Sequence, residues 1–230
     1  MTVPRLVVEF CGLPGAGKTL LAEQTCIALR ERGVAAEIAD RPISAAVPKV
    51  ARVRRRAGLA GGRLVRHPAD TFGALRSVAR TRPSLRDGAA LLLQWLAVEG
   101  LAAAPNDDSF RLLEEGVVQT AWSLVLRAGP DALVGLQELV AEGTVSRRLI
   151  VLVDVPVELA VDRLRARASL HSRTQLLSPA EQRAELEVGS RLMRVLLDAS
   201  PAPVLTIRND GTSAPETLGA QIAEGVLQAR

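Results

Sequence analysis

Gly12-Leu13-Pro14-Gly15-Ala16-Gly17-Lys18-Thr19 decides how this chain of 230 residues is read. The eight residues satisfy the pattern G-x-x-x-x-G-K-[ST]. Three glycines let the backbone turn sharply and aim successive N–H groups into one small space. The flanks matter as much as the loop. Arg5–Cys11 (RLVVEFC) is a mostly apolar run of strand length that stops at a glycine. Lys18–Arg32 has helical spacing, with Leu21, Cys26, Ile27 and Leu29 inward and Gly33 as its stop. A strand, a glycine turn and a helix start in that order make an anion cradle, because the helix adds its positive end to the loop amides. The pattern implies a nucleoside triphosphate, ATP in the simplest case, held by Gly12, Pro14, Gly15, Ala16, Gly17, Lys18, Thr19 and Leu20. Lys18 is placed to bridge the outer phosphates, and the Thr19 hydroxyl is a natural ligand for Mg²⁺.

Four more short apolar runs follow: Val34–Ala39, Ser109–Leu113, Arg148–Asp154 and Val204–Arg208. Helical patterns separate them, which predicts an α/β fold with a central five-stranded parallel sheet flanked by helices in three layers. Leu85–Ala103 reads as a long apolar helix and Pro105–Asp108 as a polar turn. Further helices are expected over Gly116–Arg127, Asp131–Ala141, Pro156–Ala168 and Ala214–Leu227. Ser178–Ala199 carries its own start signal, with Ser178 as cap, Pro179 in the first turn and Glu181 closing a capping box. Ile43–Arg82 is the hardest part, since its helical patterns are interrupted by Gly58, Gly61, Gly62 and Pro68. The chain reads as one domain over residues 1–230, with residues 43–104 as a helical insertion.

Composition narrows the possibilities. The formal charge is +4, and lysine occurs only at Lys18 and Lys49, so arginine supplies the excess. Arginine suits bidentate contact with phosphate. A cluster runs from Arg52 to Arg66. It is compatible with an anionic acceptor, a flap or an inert surface, and it lacks the interleaved aromatics of a single-strand nucleic-acid binder. Nucleic acid is therefore not an expected partner. Three Phe, two Trp and no Tyr leave an aliphatic core, with Phe72, Trp95 and Trp122 either in it or lining a pocket. Cys11 and Cys26 lack metal-ligand spacing and read as reduced core residues. No run reaches the ~18 apolar residues of a membrane span, so no membrane partner and a cytoplasmic setting are expected.

Taken in order, GLPGAGKT, the Leu112-Leu113-Glu114-Glu115-Gly116 stretch, VDVPVELAVDRLRAR and IRNDGTSAPETL resemble the nucleoside-monophosphate-kinase-like P-loop kinases, thymidylate-kinase-like members nearest. The resemblance covers both ends of the chain well and the middle poorly. It implies a P-loop NTPase fold and an ATP-dependent small-molecule kinase with Mg²⁺, whose partner is a phosphoryl acceptor. A homodimer is compatible with it. It assigns Glu114, at the tip of the third strand, to Mg²⁺ alongside Thr19 or to the acceptor's proton. Glu115 is the alternate. Where the family shows Asp-Arg or Glu-Arg, this chain has Glu-Glu, which leaves the acceptor open. The resemblance also implies a lid over residues 163–178, with Arg163, Arg167 and Arg173 closing on the transferring phosphoryl group and Arg165 pointing away. It places the adenine against Asn209–Thr212, so Asn209 and Gly211 join the nucleotide site. The acceptor is expected over the ends of the second and third strands, where Asp40 would hold a hydroxyl and Arg41 an anionic group.

A competing reading keeps the loop but makes the protein a nucleotide-controlled switch or non-kinase NTPase acting through a protein partner. Asp154, at the end of Arg148–Asp154, would then be the carboxylate beside the metal.

Overall fold

The apolar run before the glycine turn becomes the central strand. In a computed structural model, which describes residues 6–43, 48–80, 85–103, 109–141, 147–167 and 173–229, β1 (Val7–Cys11) is buried along its whole length. Strands covered on both faces have no need of polar alternation. Its neighbours are β3 (Phe110–Leu113) and β4 (Arg148–Asp154), with β2 (Ala36–Ile38) and β5 (Val204–Arg208) outermost. The order is β2-β3-β1-β4-β5 and every pairing is parallel. The chain leaves β1 toward β2 but leaves β4 toward β5. Connections that part in this way open a crevice at the carboxyl ends of the strands.

Helices cover both faces. α1 (Lys18–Glu31) packs along α9 (Pro215–Gln228), where Gly219 meets Gln24 so closely that a Cβ would come within 2.5 Å of it. On the other face lie α4 (Leu85–Ala103), α5 (Val117–Ala128) and α8 (Pro179–Asp198). α6 (Leu133–Ala141) joins α5 and α8, and α7 (Val157–Ala166) leads from β4 toward α8. The capping box of α8 forms as its sequence predicts: the Ser178 hydroxyl accepts the Glu181 N–H, and Glu181 returns a bond to the Ser178 N–H. Trp95 and Trp122 are core residues, whereas Phe72 is 70 % exposed.

Several expectations are corrected. Ile27 is 47 % exposed rather than inward. Residues 49–80 form two uninterrupted helices, α2 (Lys49–Arg66) and α3 (Pro68–Arg80), despite three glycines inside α2. Each internal glycine costs roughly 1 kcal/mol, but α2 is held by packing on α4, and tertiary packing supplies most helical stability. Gly100 of α4 permits that packing, since a Cβ there would lie 2.9 Å from the Leu59 carbonyl oxygen. α7 ends at Ala166, with Arg167 already extended. The turn expected at Pro105–Asp108 and residues 168–172 of the expected lid lie outside the described residues.

A buried chain of charges joins these helices to the sheet. Arg148 Nε lies 3.1 Å from Glu9 Oε1, and Arg148 Nη2 donates to Glu99 Oε1 at 2.6 Å. Arg63 Nη2 sits 3.9 Å from Glu99 and 3.0 Å from Asp70. The path runs from β1 and β4 through α4 and α2 to α3. Burial works against the charge on Arg148, but Glu9 and Glu99 outweigh it and raise its pKa.

Candidate active site

The loop adopts the backbone its glycines allow. Gly12, Gly15 and Gly17 have φ of +150°, +86° and +91°, a region costly for residues with a Cβ. They also lack room: a Cβ would come within 2.6 Å of the Val153 carbonyl oxygen at Gly12 and 2.7 Å of the Ala160 carbonyl oxygen at Gly15. Lys18 Nζ donates to the carbonyls of Gly12 (2.9 Å) and Leu13 (3.2 Å), so the ammonium stays on the loop. Burial lowers its pKa. The charges of Glu115, Cys11 and Glu114 oppose that shift, and Arg167 adds to it. Cys11 itself is a buried free thiol pushed up to about 12, chiefly by burial.

The carboxylate at the end of β3 comes to the loop. Thr19 Oγ1 donates to Glu114 Oε2 at 2.8 Å. Two hard oxygen donors side by side at a phosphate loop fit Mg²⁺, which takes one or two protein ligands and completes its shell with phosphate and water. No group of three or more His, Cys, Asp or Glu capable of holding a metal by itself occurs among the described residues. Asp154 ends β4, and its carbonyl accepts the Asn209 N–H at 2.7 Å.

The turn after β5 braces the loop from the other side. Asn209 Nδ2 donates to the Ala16 carbonyl at 2.7 Å, and a Cβ on Gly17 would stand 2.9 Å from that nitrogen. Arg163 donates to the Asn209 side-chain oxygen (3.3 Å) and carbonyl (3.4 Å). Arg163 therefore meets the expected adenine turn. Gly211, with φ +87°, lies next to Leu159 and Arg163. Arg167 is exposed at the end of α7, close enough to Lys18 to perturb it. Arg165 is exposed, and Arg173 opens a 3-10 turn, Arg173–Leu176. Pro14 is half-buried, and Leu20 is exposed at the start of α1.

Asp40, just past β2, is 5 % exposed. Its Oδ2 accepts the Glu115 N–H at 2.9 Å, while Oδ1 is buried without a hydrogen-bond partner. Burial raises its pKa to about 6; backbone N–H groups of Glu115 and Glu114 pull it down, and their side-chain charges push it up. Arg41 turns to Glu23 on α1 and pairs with it. Arg56 of α2 reaches the 3-10 turn that follows Asp40. Its Nη2 donates to the Ile43 carbonyl at 3.0 Å, and Nε is buried without a partner. Burial lowers its pKa, as does Arg52, while Glu115 counteracts them.

Two supporting residues escaped the sequence reading. Gln119 Oε1 accepts the Gly12 N–H at 3.0 Å. Glu9 Oε2 accepts the Val117 N–H at 3.0 Å, capping the positive end of α5 directly after Glu114–Glu115. Gly116 is needed there, because a Cβ would lie 2.2 Å from Glu9 Oε2. The signals were a charge inside an apolar strand and a glutamine on the buried face of a helix.

No model of a protein family matches the chain, and no curated protein matches it in sequence. Solved structures do match in shape. Deoxyadenosine kinase from M. mycoides with bound dCTP superposes with a TM-score of 0.54 at 10 % identity, covering 97 % of this chain and 100 % of that one. The fold is the three-layer P-loop fold. Shikimate kinase from Acinetobacter baumannii in complex with shikimate gives a TM-score of 0.43 at 15 % identity, covering 100 % of this chain and 96 % of that one.

Proposed function

We propose that this protein is an ATP-dependent kinase that phosphorylates a hydroxyl of a small molecule. The observation that carries the reading is the hydrogen bond from Thr19 to Glu114. It brings the lysine-bearing glycine loop and the carboxylate of β3 to one point, one strand away from Asp40. Loop amides and Lys18 would hold the β- and γ-phosphates and take up charge that develops on the transferring group. Mg²⁺, held by Thr19 and Glu114, would neutralise charge between those phosphates. Arg167 and Arg173 are the lid residues we assign to the transferring group, and Arg163 with Asn209 and Gly211 to the nucleotide end.

The acceptor would lie between Asp40 and α2. Asp40 Oδ1 is free to accept a hydrogen bond from a hydroxyl, and an ionised Asp40 can take its proton. A hydroxyl acceptor is favoured over the phosphate acceptor of thymidylate-kinase-like enzymes, because an ionised carboxylate with an unfilled oxygen repels a phosphate monoester. Arg56, with its unfilled Nε, supplies the cationic contact first expected of Arg41. The test is direct. Incubated with ATP, Mg²⁺ and a panel of nucleosides, sugars and hydroxy acids, the protein should yield a phosphorylated product, and Lys18→Ala should reduce transfer by roughly 10²-fold or more. Phosphate release with no acceptor dependence, or full transfer by Lys18→Ala, refutes the proposal.

A further inference from the structure

α2 and α3 carry apolar side chains on their water-facing sides. Val50, Val53, Ala57, Gly61 and Leu64 are spaced three or four apart, so they share one face of α2. That face is open: Val50 is 81 % exposed, Val53 and Leu64 48 % each, and the adjoining Val65 81 %. On α3, Pro68, Phe72, Leu75 and Ala79 repeat the pattern, with Phe72 at 70 % and Leu75 at 48 %. The inward side of α2 carries Arg56, bonded to the Ile43 carbonyl, and Arg63, paired with Asp70 and Glu99. A water-facing helix normally has the opposite polarity.

The unburied charge on these stripes is basic. Residues 49–80 contain nine basic residues and one acidic residue, Asp70, which is engaged by Arg63; of the nine, Arg56 and Arg63 face inward and Arg80 pairs with Glu138 of α6. Exposed Arg54 lies within the α2 stripe, and exposed Arg76 beside Leu75. We propose that this side of α2 and α3 docks on an anionic lipid surface. Aliphatic side chains that enter the headgroup boundary, flanked by arginines that meet lipid phosphate, are the two components such contacts need. No described helix is long and apolar enough to cross a membrane, so the contact is with the surface alone; it departs from the expectation of no membrane partner. A second copy fits less well, because a two-fold contact would set arginine against arginine. Nucleic acid also fits less well, because Phe72 is the one aromatic residue in the segment and exposed valines gain nothing from a phosphate backbone.

The proposal does not depend on phosphoryl transfer, so Lys18→Ala should bind vesicles as the unaltered protein does. The test is co-sedimentation of the 230-residue protein with phosphatidylcholine vesicles, with and without phosphatidylglycerol. Binding should be at least about tenfold tighter on the anionic vesicles and should weaken with salt. Val50→Asp with Val65→Asp should abolish it. Arg54→Gln with Arg76→Gln should lower it about tenfold and flatten the salt dependence. Equal affinity for neutral and anionic vesicles, or unchanged binding in both double variants, overturns the proposal. So does a stable dimer that Val50→Asp dissociates, which would assign the face to a second copy. Binding of a single-stranded oligonucleotide that displaces the vesicles and survives Val50→Asp with Val65→Asp would likewise overturn it in favour of nucleic acid.

Discussion

Asp40 is a buried carboxylate whose ionised form costs the fold. A pKa raised from 3.8 to about 6 represents roughly 3 kcal/mol against the charged form. For an acid raised in this way the folded state holds the proton more tightly. Its cost is therefore full above pH 6, declines as pH falls, and is gone near 3.8. Asp40→Asn should accordingly raise stability at pH 7.5 by about 1–2 kcal/mol, and the gain should vanish below pH 4, as thermal melts of both proteins would show. If Asp40 also serves the acceptor, the same variant should lose transfer by roughly 10²-fold, and the wild-type rate should fall on the acid side of about pH 6. A variant more stable and equally active would make Asp40 structural only. Legibility divides sharply at this scale. The loop residues were readable because backbone geometry demands glycine and phosphate demands lysine. Arg41 and Arg56 were not separable, because both are arginines near the same strand end and only the three-dimensional path shows which one Glu23 captures.

The first turn of α5 sets where Glu114 and Glu115 stand, and Glu9 holds that turn by accepting the Val117 N–H. Gly116→Ala would put a methyl group 2.2 Å from Glu9 Oε2 and 2.7 Å from Glu9 Cβ. The substitution should cost roughly 1–3 kcal/mol and weaken nucleotide binding measured by calorimetry, because Gly116 follows directly on Glu114 and Glu115. Gly61→Ala is the contrast, since nothing lies within 4 Å of its new Cβ and it should stabilise α2 by about 1 kcal/mol. If both glycines respond alike, crowding at Glu9 is not what Gly116 relieves. Elements with their own end signals, such as α8 with its capping box, were legible nearly to the residue. α2 was obscured because its glycines argue locally against a helix that packing on α4 and the Arg63 ion pairs maintain.

The five-stranded parallel sheet follows from features any reader of the chain can find, namely five apolar runs and the loop after the first, whereas the order of its strands is visible only in the structure. The manner in which the acceptor-side helices attach to that sheet does not follow from them either, because each charge in Glu9–Arg148–Glu99–Arg63–Asp70 looks unremarkable until its distant partner is seen. Removing one member strands the others. Arg148→Met should cost about 3–5 kcal/mol in chemical denaturation, and adding Glu9→Gln and Glu99→Gln should recover much of it. A neutral Arg148→Met would show that the buried charges carry little. Their arrangement also limits how freely this scaffold can be altered. Residues 49–103 invite transplantation as a substrate-selecting module, yet their keys are cut to locks at positions 9 and 148. A chimera that imports these helices onto another sheet must bring a glutamate and an arginine with them, and descendants of this chain that change substrate by trading helices would have to inherit both strands' charges together.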